Sequence, residues 1–312
     1  MSLETDLLLD RRRLKRRLFF WRGAAVIAAV FAVFAAVQGP GGWGPEGLGE
    51  TAHVERLTVR GIITENRKLT EAITKLADRD SVKALIVVID SPGGSVAGGE
   101  SLHEAISRVA TKKPVVAVMG GLAASAGYMI AVPAQRIFAR DATITGSIGV
   151  ILETGEASGL MKTIGVTAEA ITSGPLKDQP NFAHPLSEQG RVVLKGLVMD
   201  MYEQFVAMVA SGRHMDAARV RELGDGRAYT GRQALALGLV DEIGGEPAAR
   251  VWLGRTKSVS PKLPVTDVSV SGLAERALGG DANGVLQGLW KTVFSQGVML
   301  DGGLALWQPS RQ

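Results

Sequence analysis

Two short, strongly apolar runs, residues 82–89 and 115–119, constrain the fold of this chain more than any other feature. Each run ends in a turn of small residues, and each turn is followed by a helical pattern of apolar residues. Runs of this length are typical of strands that are buried on both faces of a parallel sheet. The sequence therefore predicts an α/β fold, with a parallel-rich sheet flanked by helices on both faces.

The same patterns predict the remaining elements of this fold. The predicted strands are residues 54–63, 82–89, 115–119, 136–139, 148–152, 166–171 and 239–241. The predicted helices are residues 66–76, 96–109, 124–133, 157–164, 187–212 and 231–238. No segment repeats at a fixed period, so we expect one α/β body rather than a tandem array.

The first 37 residues combine a basic head with an apolar stretch. Residues 18–37 reach the roughly 20 apolar residues that cross a bilayer, provided that Arg22 extends to the headgroups. Basic residues stay on the cytoplasmic side. We therefore expect a cytoplasmic tail at 1–17, one transmembrane helix, and a body at the periplasmic or extracellular face of the cytoplasmic membrane. A cleaved secretory signal is the alternative, but no small-x-small cleavage site follows Val37.

The net charge of +4 arises in the basic head, because residues 1–22 hold seven basic and three acidic side chains. The rest of the chain is near neutral, so an isoelectric point of about 9.4 does not indicate nucleic-acid binding. A Gly/Pro-rich linker follows at 38–52, then a body at 53–255 and an irregular extension at 256–312. We expect the extension to contact a neighbouring subunit or the membrane.

A glycine pair, Gly93-Gly94, ends the first apolar run. Backbone N–H groups at the start of a helix can hold an anion or a developing oxyanion. Glycine also lets an extended peptide lie close to the backbone. The alternative is an ordinary tight turn in which Ser95 caps the next helix.

Ser125 lies in a turn of small residues directly after the second apolar run. The chain has no cysteine and the turn has no histidine near it, so a nucleophile here must be the Ser125 hydroxyl. In an Ala-x-Ser-x-Gly turn between strand and helix, the serine oxygen stands clear of the backbone. The N–H groups of Ala126 and Gly94 are then placed to form an oxyanion hole. The alternative is a serine that merely caps the helix.

A serine nucleophile needs a base, and Lys177 in the loop at 173–178 is the candidate. Desolvation leaves an amine neutral and basic. Thr145 and Ser147 would present hydroxyls on one side of a short extended stretch, and such a hydroxyl can orient the lysine by a hydrogen bond. Taken alone, a loop lysine is more often a solvated residue, and Ser147 a residue of an ordinary polar turn. The four histidines have no metal-ligand spacing, so we expect neither a metal nor another cofactor.

Together these motifs resemble the signal peptide peptidase A family, membrane-anchored serine–lysine peptidases with a Clp-protease/crotonase-like fold. The matching stretches follow the family's order and lie at residues 90–94, 124–128, 145–149, 173–178, 226–234 and 235–244. The chain is similar to the short, single-copy members. It departs from the family pattern at Ala126, where many members have glycine, and at Pro175, which stiffens the approach to Lys177.

The resemblance implies that Ser125 is the nucleophile and Lys177 the general base, with Ser147 orienting the lysine. It also implies that Gly94 and Ala126 supply the oxyanion N–H groups. The implied substrates are remnant signal peptides and other apolar peptides at the membrane. The implied assembly is a ring- or dome-shaped homo-oligomer, in which serine and lysine can come from adjacent subunits.

Two other interpretations remain open from the residues alone. A crotonase-like body could perform acyl-CoA chemistry, because paired glycine turns hold a thioester oxyanion equally well. A degenerate peptidase body could instead be a non-catalytic membrane scaffold that binds peptides. The predicted membrane anchor and exterior placement speak against acyl-CoA chemistry.

Overall fold

The computed structural model describes Trp21 and residues 51–269 of the chain. The chain divides into two compact units, and the described fold belongs to the unit Glu50–Val270. The predicted cytoplasmic tail, nearly all of the predicted anchor, most of the linker and most of the C-terminal extension lie outside the described residues. Among the residues that are described, none forms a helix long and apolar enough to span a membrane.

Strands and helices alternate along most of this unit. The strands are β1 His53–Ile63, β2 Val82–Gly94, β3 Val115–Ala124, β4 Arg136–Ala139, β5 Ile144–Gly146, β6 Ala228–Thr230, β7 Glu242–Ile243 and β8 Val265–Asp267. The helices are α1 Arg67–Leu76, α2 Val96–Ala110, α3 Ala126–Met129, α4 Ser158–Thr163, α5 Glu188–Arg213, α6 Ala217–Leu223, α7 Gly231–Ala236 and α8 Glu246–Lys257.

The strands form one sheet in the order β6–β5–β3–β2–β1–β8. The early residues of β3 pair with β4, its last residues pair with β5, and β7 lies beside β4. The β5–β6 pair is antiparallel, whereas the other pairs in this sheet are parallel. The predicted α/β fold with a parallel-rich sheet is confirmed, and the carboxyl ends of β2, β3 and β5 meet at one edge.

Apolar side chains of the central strands alternate between two cores. On one face, Val87 belongs to a cluster with Ile106 of α2 and Val209 of α5. On the other face, Ile86 belongs to a cluster with Leu253 of α8. Full burial of one such side chain contributes about 1.5–3 kcal/mol, so each layer of helices is firmly held. Helices cover both faces of the sheet, as the sequence predicted.

Several boundaries differ from the predictions. β2 continues to Gly94 and β3 to Ala124, past their predicted ends, because their last residues still pair with β1 and β5. The helix predicted at 124–133 is reduced to the four residues of α3, followed by turns. The strand predicted at 239–241 is a bend, and the pairing with β4 begins at the next residue, Glu242 of β7.

The strands predicted at 148–152 and 166–171 are wrong. Apart from α4, residues 147–187 contain no regular element. Their β-branched residues do not enter the sheet: Ile151 is 78% exposed and Ile171 is 98% exposed. An apolar pattern predicts burial, but no sheet surface in the described unit covers these side chains.

Candidate active site

Ser125 connects β3 to α3 at the sheet edge where β2, β3 and β5 end. Its backbone has φ 54° and ψ −123°, a conformation that residues other than glycine rarely adopt. Its N–H donates to the carbonyl of Gly146 at 2.9 Å, and its carbonyl accepts from Tyr128 and Met129. Backbone hydrogen bonds therefore fix a strained strand-to-helix turn of the kind that exposes a nucleophile.

The side chain of Ser125 makes no capping hydrogen bond to α3. Ser95, which precedes α2, does cap its helix and accepts from the N–H of Gly98 at 3.2 Å. The capping alternative is therefore correct for Ser95 and wrong for Ser125. The Ser125 hydroxyl remains available for chemistry.

Gly93 is the member of the glycine pair that lies directly against the serine. A Cβ atom on Gly93 would lie 2.8 Å from Ser125 Cβ and 3.1 Å from the Ala126 nitrogen. Gly93 also has φ 112°, which side-chain-bearing residues seldom adopt. Its N–H donates to Ser91 Oγ at 3.1 Å, while Ser91 Oγ donates to the carbonyl of Gly61 at 2.6 Å. The close approach of β2 to the Ser125 turn therefore requires glycine.

The two predicted oxyanion donors lie on either side of this contact. Ala126 is buried, and its N–H has no acceptor among the described residues. α3 has only four residues, so its dipole is small. For binding an oxyanion, the single N–H of Ala126 would therefore contribute more than the helix dipole. Gly94 packs on β1, where a Cβ would lie 1.9 Å from the carbonyl oxygen of Ile63. The oxyanion role of both residues stays a prediction.

Ser147 is brought to Ser125 by the pairing of β5 with β3. Ala124 pairs with Gly146, so the next residue of each strand lies at the same edge. Ser147 has φ 48°, and its N–H donates to the carbonyl of Arg227 at 2.9 Å. Ser125 and Ser147 line one cleft. Thr145 faces elsewhere: it is buried, and its hydroxyl donates to the carbonyl of Ala123.

Lys177 lies in the segment between α4 and α5. It lies in a turn at 175–178, its N–H donates to the carbonyl of Gly174 at 3.1 Å, and its side chain is exposed. Lys177 is not among the residues that line the cleft around Ser125. Of the predicted site residues, the described fold therefore gathers the two serines, with Ala126 beside Ser125, and leaves the lysine apart.

The cleft has a volume of about 590 Å³ and is open to solvent. Ser125 and Ser147 line it together with residues of helices α5 and α6. The lining residues are Ser125, Ser147, Gly149, Val150, Ile151, Val198, Met199, Tyr202, Arg221, Gly224, Asp225 and Gly226. Most of the lining surface is apolar, so the cleft suits an apolar segment of a ligand.

Two ion pairs neutralise the charged residues at this cleft. Arg221 holds Glu203 through two hydrogen bonds of 3.0 and 2.7 Å, and thereby lowers the pKa of that carboxyl. Arg227 likewise lowers the pKa of Asp225 through a hydrogen bond. Each charge is matched within the chain, so the cleft offers no unbalanced charge to a ligand. Among the described residues, no group of three or more His, Asp or Glu side chains could hold a metal ion.

Sequence reasoning missed the wall that α5 and α6 contribute. Val198, Met199 and Tyr202 belong to a helix that was predicted, but a helical pattern does not show which face borders a distant turn. The one signal for this part of the cleft was the Gly224-Asp225-Gly226 segment after α6. Glycines often mark a place where two backbone segments approach closely.

Comparison with known proteins places this geometry in a family. The model of peptidase family S49 matches residues 107–260. A putative protease of Synechocystis is 38% identical over 232 residues, which cover 73% of this chain and 84% of that protein. A putative signal peptide peptidase SppA of Enterococcus faecium is 35% identical over 207 residues, covering 61% of this chain and 60% of that protein.

Other relatives share a smaller part of their length. Protease 4 of Salmonella typhi is 35% identical over 164 residues, covering 52% of this chain and 26% of that protein. Among solved structures, a membrane-bound stomatin-specific protease is 17% identical with a TM-score of 0.48, covering 71% of this chain and 99% of that one. A ClpP1 mutant from Listeria monocytogenes is 20% identical with a TM-score of 0.40, covering 61% and 91%.

The resemblance inferred from the motifs is confirmed by a relative that is 38% identical over 84% of its length, and by the match to the family model. The family is one of peptidases, so the acyl-CoA enzyme and the non-catalytic scaffold are not retained. The chain belongs to peptidase family S49, the signal peptide peptidase A family, and is a serine peptidase.

Proposed function

We propose that this chain is a membrane-anchored endopeptidase in which Ser125 and Lys177 form the catalytic dyad. Its substrates are remnant signal peptides and other apolar peptides at the outer face of the cytoplasmic membrane. The observation that carries the proposal is the Ser125 hydroxyl, which is free of any capping role and stands on a strained turn beside an apolar cleft. A free hydroxyl at such a turn is suited to attack a peptide carbonyl.

In the proposed reaction, Lys177 removes the Ser125 proton as the hydroxyl oxygen attacks the peptide carbonyl. The tetrahedral intermediate collapses to an acyl-enzyme, and the protonated lysine gives its proton to the departing amine. Water then attacks the ester carbonyl while the neutral lysine takes a proton from it. The resulting tetrahedral intermediate expels the Ser125 oxygen, which takes that proton back from the lysine as the acid product leaves. Ser147, on the same wall as Ser125, orients the lysine.

The N–H groups of Ala126 and Gly94 stabilise the oxyanion in this proposal. Among the described residues the Ala126 N–H has no acceptor, as an oxyanion donor must have none in the empty enzyme. For Gly94 the support is indirect. The N–H of Ser95 donates to Ile63 of β1 at 2.9 Å, and successive N–H groups point to opposite edges of a strand. The Gly94 N–H should therefore point away from β1, toward the side where Ser125 lies.

Lys177 needs a second surface to reach the serine, and we assign that surface to a neighbouring copy of the chain. Exposed apolar side chains gather between residues 151 and 201, on both sides of Lys177 in sequence; examples are Ile171, Phe182 and Val192. Large exposed apolar patches usually mark an interface. In a homo-oligomer, this surface would be covered and the lysine could enter the cleft of the adjacent subunit.

A fluorophosphonate probe and a peptide substrate test the dyad. We expect Ser125→Ala and Lys177→Ala each to lose labelling and hydrolysis, while Lys195→Ala, which changes another lysine of the same exposed region, keeps both. Labelling that survives in Ser125→Ala would refute the assignment of the nucleophile.

Subunit mixing tests whether the dyad is shared. Inactive Ser125→Ala and Lys177→Ala chains are unfolded, mixed and reassembled. If adjacent subunits share the dyad, a site formed by one variant's serine and the other's lysine is complete, and the mixture regains a fraction of wild-type hydrolysis. A mixture as inactive as its components would place both residues in one chain.

The proposed anchor is tested by fractionation. The full chain should sediment with membranes and resist extraction with alkaline carbonate, whereas a chain lacking residues 1–37 should be released. Equal release of both chains would refute the anchor without affecting the dyad.

A further inference from the structure

Tyr202 differs from the other tyrosines of the chain in how its hydroxyl is used. The hydroxyl of Tyr128 donates to the carbonyl of Leu239 at 2.8 Å, and that of Tyr229 donates to the carbonyl of Leu223 at 2.9 Å. The Tyr202 hydroxyl has no hydrogen-bond partner among the described residues, and it lines the cleft that contains Ser125. A phenolic hydroxyl that is partly removed from water usually finds a partner.

The ring of Tyr202 is held in place by the fold. It packs against the main apolar core, at the point where the residues of α5 change from mostly exposed to buried. The following turns of α5 are locked by the buried residues Phe205, Val206 and Val209. The hydroxyl lies close to the end of α6, because a Cβ built on Gly224 would be 3.3 Å from the Tyr202 hydroxyl oxygen. The hydroxyl is therefore a pre-positioned group rather than one on a loose side chain.

The hydroxyl is also a neutral donor at physiological pH. Burial raises the pKa of Tyr202, so the phenol keeps its proton. The guanidinium of Arg221, by contrast, is engaged by Glu203. An extended peptide in an apolar cleft must replace the water lost from its backbone carbonyls, and an unpaired carbonyl there is costly.

We propose that Tyr202 is a specificity-determining residue whose hydroxyl donates a hydrogen bond to one backbone carbonyl of an extended peptide substrate. The inference rests on the proposed role of Ser125 and deepens it. The contact selects peptides that place a carbonyl at this point of the cleft. Apolar molecules without an amide carbonyl there lose the contact and are cleaved more slowly.

Tyr202→Phe in the full-length chain tests the proposal, with Tyr229→Phe as the matched control. Both changes remove one phenolic oxygen, but of the two hydroxyls only that of Tyr229 is paired within the described part of the chain. kcat/KM is measured for a fluorogenic peptide and for analogues in which one backbone carbonyl at a time is reduced to methylene. We expect Tyr202→Phe to lower kcat/KM about tenfold for the parent peptide, the loss expected for one unpaired carbonyl.

The analogues distinguish a substrate contact from a structural effect. For the one analogue that lacks the contacted carbonyl, Tyr202→Phe and wild type should have equal kcat/KM. Tyr229→Phe should lower thermal stability and leave the order of the analogues unchanged. An equal loss in Tyr202→Phe for every analogue, or no loss for the parent, would overturn the inference. Labelling of Ser125 by the fluorophosphonate probe is followed in parallel. Absence of labelling in the wild type would refute the proposed function, and this inference with it.

Discussion

Replacement of Gly93 by alanine should disable Ser125 without touching the serine itself. A Cβ on Gly93 would lie 2.8 Å from Ser125 Cβ, with the Ala124 oxygen and the Ala126 nitrogen each at 3.1 Å. Carbon atoms in contact prefer about 3.5–4.0 Å, so the serine turn must move by roughly 1 Å. The turn cannot yield easily, because the Ser125 N–H is bound to Gly146.

The size of the effect follows from two separate costs. Alanine at the φ of 112° found at Gly93 carries a backbone penalty of about 1–2 kcal/mol, and overpacking adds about 1–3 kcal/mol. A displacement of about 1 Å at a reacting group lowers the rate roughly a hundredfold. We therefore expect hydrolysis to fall about a hundredfold, together with a loss of roughly 2–5 kcal/mol in the free energy of unfolding.

Gly61→Ala separates the two costs. Gly61 has φ 68°, but a Cβ there would meet nothing within 4 Å. This variant should show the backbone penalty alone, about 1–2 kcal/mol, with a normal rate of fluorophosphonate labelling. Labelling rates and chemical denaturation are measured for both variants. If Gly93→Ala labels at the wild-type rate, the close packing of β2 on the serine turn is not what holds Ser125 in position.

Three further variants test other contacts. Lys177→Arg should be as inactive in peptide hydrolysis as Lys177→Ala, because a guanidinium stays protonated and cannot act as a base; retained activity would remove the lysine from that role. Arg213→Ala should lower the free energy of unfolding by roughly 3 kcal/mol in chemical denaturation, because Arg213 is nearly buried and forks onto Asp241. Asp90 accepts from the N–H of Leu122 at 3.1 Å, so Asp90→Ala should slow probe labelling, while Asp90→Asn, which keeps the acceptor, should not.

The sequence was most informative where burial and local geometry agree. The two apolar runs form β2 and β3 at the centre of the sheet, and the turns after them meet at one edge. Ser125 was predicted to follow a central strand, but the strand that brings Ser147 beside it, β5, was not predicted. The register could not be predicted, since Gly120 and Gly121 lie in an irregularity between β2 and β3 that no apolar pattern reveals.

Prediction failed where apolar residues are not buried by their own chain. Val166 and Ile171 have the composition of a strand, yet they are 47% and 98% exposed. A hydrophobic pattern indicates that a residue tends to be buried, but it does not indicate which molecule buries it. The far wall of the cleft was missed for a related reason, because the position of Tyr202 depends on how α5 crosses the sheet edge.

The two proposed members of the dyad therefore have very different structural support. Ser125 is fixed by β2, β3 and β5, and its geometry is already set within one chain. Lys177 is exposed and lies in the stretch 147–187, where α4 is the one regular element. If cover for that surface comes from a second copy, assembly would both bury the apolar residues and deliver the base. In an isolated chain, Ser125 would then be correctly positioned but would lack its base. Hydrolysis would begin only where the chains associate.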